Sequence, residues 1–298
     1  MNTQEILIPV PWGHISAKLW GEQSQRERVL CVHGLQDNCG SFDRLIPLLD
    51  RRKVYLCVDL PNHGHSSGTP LGTRWTHVDY VICLKRIVDH LRWPDFCALG
   101  HSMGGQILTI FAAVYPEHVS RLVVLDTAGP IPVEPDELVP FARRAFDSLL
   151  SKENGPAFLT APPTYTRAQA FALIKHRFYG PMTDEAAEAL LVRSAKRGSD
   201  GMYSFNADQR LKVTNNPMLS PESHLNVVKS VKCPTLLIRA KDSVEYYGTI
   251  YKQVFDMFET NPYFVMTDVE GNHDVHLSYP ERVYGIINRF LNEKLSKL

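Results

Sequence analysis

Short apolar runs recur along the chain, each closed by polar or turn residues. Val29-Leu30-Cys31-Val32 ends in His33-Gly34, and Val54-Tyr55-Leu56-Cys57-Val58 ends in Asp59-Leu60-Pro61. Phe96-Cys97-Ala98-Leu99 runs into Gly100-His101-Ser102, and Leu122-Val123-Val124-Leu125 into Asp126. Thr235-Leu236-Leu237-Ile238 is followed by Arg239-Ala240-Lys241-Asp242, and Phe264-Val265-Met266 leads towards Gly271-Asn272-His273. Each run has strand length, and helical patterns lie between them. That alternation predicts a mostly parallel, twisted sheet flanked by helices, an α/β fold. The polar residues gather where each strand ends, the edge at which open parallel sheets carry their chemistry. The first twenty residues, with Ile6-Leu7-Ile8 and Ile15 to Trp20 around Pro11-Trp12-Gly13-His14, predict an antiparallel hairpin at one end of the sheet.

From Ala128 to about Leu225 the strand rhythm stops. Pro130, Pro132, Pro135 and Pro140 crowd the entry, and helical patterns follow over Ala168 to Phe178 and Thr183 to Arg197. This segment reads as a mostly helical cap inserted into the fold, so that residues 1–127 and 226–298 form the core and 128–225 the cap. Tyr279 to Glu293 predicts a closing amphipathic helix, with Val283, Ile286, Ile287 and Phe290 on one face. The 298 residues suit one large domain carrying an insertion.

Composition narrows the function classes. Thirty-two Lys and Arg balance thirty-two Asp and Glu, which argues against a nucleic-acid binder. No stretch approaches the ~18–20 apolar residues of a membrane span. Glu5 stands where a secretory leader would be basic or apolar, so a soluble, non-secreted chain is expected. The six cysteines show no zinc-ligand spacing, and several sit inside apolar runs, so free thiols are expected. Neither a metal nor a cofactor is expected. Ser296-Lys297-Leu298 matches a peroxisomal import address, which predicts an import receptor as partner and passage from cytosol to peroxisome. Average residue usage yields that match roughly once in a few thousand chains.

Gly100-His101-Ser102-Met103-Gly104 fits G-x-S-x-G, with a strand before it and the apolar helical run Gln106 to Tyr115 after it. That context predicts a serine nucleophile on a sharp strand-to-helix turn. His273, after the last strand, is the expected base, in the chain order Ser, acid, His. Among its competitors, His33 reads as a holder of loop shape, and His63 and His65 as parts of a loop of mutual hydrogen bonds. His276 lacks a supporting ligand cluster. The acid stays open between Asp126, ending one strand, and Asp242, following another, with Glu245 a weaker third. The oxyanion donors are expected to be the backbone N–H groups of Met103 and Leu35. An acyl pocket has candidates in Phe141, Phe146, Phe171, Phe178, Tyr179, Met202, Tyr203 and Phe205, most of which are expected to pack the cap's own core.

Taken together, His33-Gly34, Asp59-Leu60-Pro61-x-His63-Gly64, Gly100-x-Ser102-x-Gly104, Tyr115-Pro116-Glu117 and Gly271-Asn272-His273 resemble the α/β-hydrolase fold. More narrowly, Pro11 to Ile15, His33 to Leu49, Leu125-Asp126-Thr127 and Asn206 to Leu211 resemble the animal serine hydrolase-like, or kraken-like, family. The resemblance implies a cap-covered serine hydrolase and supplies no substrate. The chain departs from the wider fold at Ala240, where a glycine is usual, and Asp242 comes one residue early, which weakens Asp242 and raises Asp126. A serine at position 102 argues against the aspartate nucleophile of haloalkane dehalogenases and epoxide hydrolases. The expected function is cleavage of a carboxylic ester or thioester through a Ser-His-Asp triad. The alternatives are a weakly catalytic small-ligand binder and a C–C bond hydrolase.

Overall fold

Apolar residues that alternate along each central strand enter two separate cores, because successive side chains of a strand point to opposite faces. In the computed structural model, which describes residues 1–155, 162–177, 180–246, 254–256 and 258–293, eight of the described strands build one sheet. Its members are β1 (Thr3–Val10), β2 (Gly13–Trp20), β3 (Arg28–Val32), β4 (Val54–Val58), β5 (Phe96–His101), β6 (Val119–Leu125), β12 (Thr235–Ala240) and β13 (Phe264–Val269). They lie in the order β1-β2-β4-β3-β5-β6-β12-β13. The β1–β2 and β2–β4 pairings are antiparallel and the others are parallel. The expected hairpin is β1–β2, turning at Pro11 and Trp12.

Leu30, Val32, Leu56, Val58, Ala98, Leu122 and Val124 face one core, where α1 (His77–His90) and α2 (Met103–Val114) pack. Val29, Cys31, Tyr55, Cys57, Leu99, Val123 and Leu125 face the other, with Phe42, Leu45, Ile46, Ile287 and Phe290. Burial on both faces explains why these strands read as continuous apolar runs.

Between β6 and β12 lie α3 (Leu138–Glu153), β7 (Thr164–Tyr165), α4 (Arg167–Lys175), β8 (His176–Arg177), β9 (Gly180–Pro181), α5 (Asp184–Ser194), β10 (Ala195–Arg197), β11 (Tyr203–Phe205) and α6 (Pro221–Ser230). The segment is less helical than its pattern suggests. The helices expected to end at 178 and 197 stop at Lys175 and Ser194, where the chain turns into β8, paired with β9, and β10, paired with β11. Tertiary pairing overrides helical periodicity there. α6 straddles the expected boundary at 225 and packs on the main core through Leu225, Val227 and Val228. α4 and α5 build a smaller core of Ala170, Ile174, Met182, Ala186, Ala187, Leu190 and Leu191, joined by Leu277 from the far end of the chain. The closing helix is shorter than expected. A 3₁₀ turn, Pro280–Arg282, precedes α7 (Tyr284–Asn292). The side chain of Glu245, and residues Phe178, Tyr179, Ser296, Lys297 and Leu298, lie outside the described residues.

Candidate active site

Ser102 sits between β5 and α2 with φ +50° and ψ −123°, a conformation that L-residues with a Cβ rarely adopt. Its amide donates to Leu125 O at 3.0 Å, tying the turn to β6. The flanking glycines are required by contact. A Cβ at Gly104 would lie 2.1 Å from Val32 O, and one at Gly100 would lie 2.6 Å from Gly105 N. The turn sets the serine in the lining of a cavity of about 730 Å³, with Leu35, Met103 and His273.

His273, on the loop after β13, directs Nδ1 at Asp126 Oδ2 over 2.6 Å. A carboxylate only accepts, so the proton sits on Nδ1 and Nε2 is left as the basic nitrogen. Asp126, one residue past β6, has φ +52°. Its other oxygen accepts from the Ala240 amide at 2.7 Å. Burial opposes its charge, yet the His273 hydrogen bond and attraction, with the Ala240 amide, hold the carboxyl below its ordinary range. Asp242 is not brought to the imidazole. It is exposed, lies outside the cavity lining, and meets the histidine loop through its backbone amide, which donates to Gly271 O at 3.1 Å. The physical reason is that β6 adjoins the serine strand, while Asp242 lies two residues beyond β12 in a turn open to solvent.

Met103 opens α2, so its N–H has no partner within the helix. Leu35 follows Gly34 in a tight turn, where a Cβ at Gly34 would lie 3.2 Å from Ser102 Cβ. Two buried histidines shape that turn. His33 Nε2 accepts from Leu60 N at 3.0 Å, and His63 Nε2 accepts from Gln36 N at 3.1 Å. Their Nδ1–H groups point at Gly34 O and Pro61 O. Both rings are therefore structural and neutral, and burial lowers both pKa values, that of His63 to about 3.

The neutral histidines set a pH dependence of stability. Burial also drops His224 to about 4. The folded protein declines the protons that the unfolded chain binds below about 6.5, so stability is full above that pH and falls as the pH drops towards 3–4. Each such group costs about 1.4 kcal/mol per pH unit in that window. The thermal midpoint is expected to fall steadily between pH 7 and pH 5. A flat profile would show that these rings protonate in the native state.

Several residues that sequence reasoning did not single out crowd the base. His101 Nε2 donates to the backbone carbonyl of His273 at 2.9 Å. His101 Nδ1 lies 3.7 Å from Asp37 Oδ2, and Arg177 of β8 pairs with the other Asp37 oxygen. Burial disfavours a charged His101, but Asp37, Asp274 and Asp126 outweigh it and raise its pKa. Burial also raises Asp274. Donor atoms of Asp37, His101 and Asp274 lie within 4.8 Å of one another, a spacing compatible with a metal ion. The Arg177 guanidinium already neutralises this group, 4.0 Å from Asp274 and bonded to Asp37. His276 is a neutral spacer, stacked 4.1 Å from the His101 ring, with Nε2 2.8 Å from Ser41 Oγ.

The cavity has an apolar wall from Ile131, Leu173, Ile174 and Phe205, and a polar patch at His77 and Gln106. Of the described aromatic candidates only Phe205 lines it. Phe171 and Tyr203 pack on the small core of α4 and α5, and Phe146 is exposed.

The sequence model of the α/β-hydrolase fold matches residues 27–180. A probable serine hydrolase of Drosophila melanogaster is 35% identical over 97% of this chain and 88% of its own length. The serine hydrolase-like protein 2 of Homo sapiens is 35% identical over 96% and 93%. Among solved structures, a hypothetical protein of Pseudomonas aeruginosa PAO1 superposes with a TM-score of 0.82 at 27% identity, covering 96% of this chain and 97% of the other. A thioesterase domain from the curacin biosynthetic pathway shares the fold, with a TM-score of 0.77 at 19% identity over 96% and 99%.

Proposed function

Since the chain belongs to the α/β-hydrolase fold family, among the serine hydrolase-like proteins, we propose that it cleaves a carboxylic ester or thioester through Ser102, His273 and Asp126. The observation that carries this reading is the 2.6 Å bond from His273 Nδ1 to the Asp126 carboxylate, beside a serine raised on a strained turn into the same cavity. His273 Nε2 takes the Ser102 proton as Oγ attacks the acyl carbon. The amides of Met103 and Leu35 receive the negative charge that develops on the carbonyl oxygen, a donation worth ~2.7–4 kcal/mol per donor. Collapse expels the alcohol or thiol with the proton from His273. Water then gives one proton to His273 as its oxygen bonds the acyl carbon, and the bond to Ser102 Oγ breaks as that oxygen takes the proton back, releasing the acid. The segment between β6 and β12 acts as the cap, and its apolar wall takes the acyl group.

A fluorophosphonate probe tests this directly. The folded full chain is expected to be labelled on the peptide carrying Ser102, located by mass spectrometry, and Ser102→Ala is expected to stay blank. An unlabelled wild type that retains its native melt would overturn the reading. Labelling with no turnover of p-nitrophenyl esters or acyl thioesters would instead favour a ligand-binding protein.

A further inference from the structure

We infer that Arg177 is a positioning residue for His273, acting through Asp37 and His101, so that seating of the β8–β9 hairpin and placement of the base are one event. The inference rests on the hydrolase reading above. Three facts converge on it. First, the carbonyl of His273 is held by His101 Nε2 at 2.9 Å. Backbone and side chain of the base are thus pinned by different partners, Asp126 fixing the ring and His101 the main chain. Second, Asp37 lies between His101 and Arg177, with one carboxylate oxygen turned to each. Asp37 is 2% exposed, and Asp274, next to the base, is also 2% exposed at its side chain. Two carboxyl groups buried this deeply need nearby positive charge, and the Arg177 guanidinium supplies it, bonded to Asp37 and 4.0 Å from Asp274. Third, the same hairpin grips the loop on the other side of the base. Asn272 Nδ2 donates to Pro181 O at 3.0 Å, and Gly180, at φ +103°, places its Cα so close that a Cβ would lie 3.0 Å from that nitrogen. The residues before and after His273 are therefore both fastened to β8–β9.

Without the guanidinium, Asp37 and Asp274 repel one another, Asp37 loses the partner that fixes its carboxylate beside His101, and the 272–274 loop is free to shift. A shift of about 1 Å at a reacting group costs on the order of 10²-fold in rate. Substrate contact by Arg177, which also lines the cavity, is the competing role. It would alter KM and leave kcat for a small ester untouched.

The test uses p-nitrophenyl acetate with the full chain. Arg177→Met is expected to lower kcat about 10- to 100-fold with KM within about threefold, and Arg177→Lys to recover part of the loss. His101→Phe is expected to match Arg177→Met, and the double variant to be no worse than the lower single, because both changes cut one chain of contacts. Additive losses, or a change confined to KM, would overturn the inference. A second readout needs no turnover. The short bond to Asp126 predicts a low-field Nδ1 proton for His273 in the wild type, and this resonance is expected to broaden or vanish in Arg177→Met while Arg177→Lys and the melting profile keep the fold in evidence. An unchanged resonance would refute the positioning role. Absence of Ser102-dependent turnover in the wild type, with the NMR effect present, would defeat the hydrolase reading and leave the coupling intact.

Discussion

Asp126→Asn is expected to lower kcat on ester substrates by about 10⁴-fold, while Asp242→Asn stays within about twofold of wild type. The carboxamide is nearly the same size and keeps an oxygen for the Ala240 amide, which bonds Asp126 Oδ1 at 2.7 Å. Asparagine also tolerates the positive φ of +52° found here. The fold is therefore preserved, and the loss is chemical. An amide nitrogen placed against His273 Nδ1 forces the proton onto Nε2, leaving Ser102 no lone pair to receive its own. The imidazolium formed during the reaction loses its compensating charge as well. Steady-state kinetics on variants with matching melts decides the matter. A 10³-fold or greater loss in Asp242→Asn alone would mean that the acid had been assigned to the wrong strand.

The second large effect concerns stability. Arg193→Met is expected to destabilise the protein by about 3–5 kcal/mol, read as a lower urea midpoint at unchanged slope. Arg193, on α5, reaches from the inserted segment into the main core. Its Nη2 lies 2.7 Å from Asp59 Oδ2 and 3.0 Å from Ser16 Oγ, and Nη1 lies 2.6 Å from Glu5. Asp59 is fully buried and also accepts from the amides of Cys39 and His65. Removing the guanidinium leaves that carboxylate charged without a cation. In the wild type burial works against the Asp59 charge, but Arg193, together with the Cys39 amide and His33, offsets it and keeps the pKa below its ordinary value. The stability the pair contributes is therefore present above about pH 4 and lost as the pH falls through the folded value. In Arg193→Met the sign reverses, because Asp59 can relieve itself by protonation. The gap between variant and wild type should narrow from pH 7.5 to pH 5, and the double variant with Asp59→Asn should recover part of the loss. An equal gap at both pH values would show that packing of the side chain, not charge, sets the cost.

Both experiments bear on residues whose legibility differed. The sharp turn at Ser102 and the place of His273 after the last strand were readable because their signals are local. A glycine is forced by close backbone approach at Gly100 and Gly104, and the histidine follows a strand and a flexible Gly271. The parts played by His33 and His63 were legible only on one side of each ring, since Nδ1 bonds a carbonyl of its own turn while Nε2 takes an amide from the other loop. The aromatic residues between β6 and β12 were harder. Phe205 reaches the cavity while Phe171 and Tyr203 turn to their own small core. Helical periodicity over 168–178 and 183–197 carries no record of β8 and β10, whose partners come from elsewhere in the segment.

What the sequence determined alone is the set of strands, the strained turn that presents Ser102, and the histidine that ends the chain order. Each depends on steric limits and apolar spacing within a few residues. Only the tertiary structure set Asp126, and not Asp242, against the His273 ring, because β6 lies beside β5 and β12 lies one strand further out. It alone also brought Asp37, His101, Arg177 and Asp274 together, from four separate parts of the chain. A charge pair buried across such sequence distances leaves no periodic trace, since its partners are selected by the packing of the finished fold.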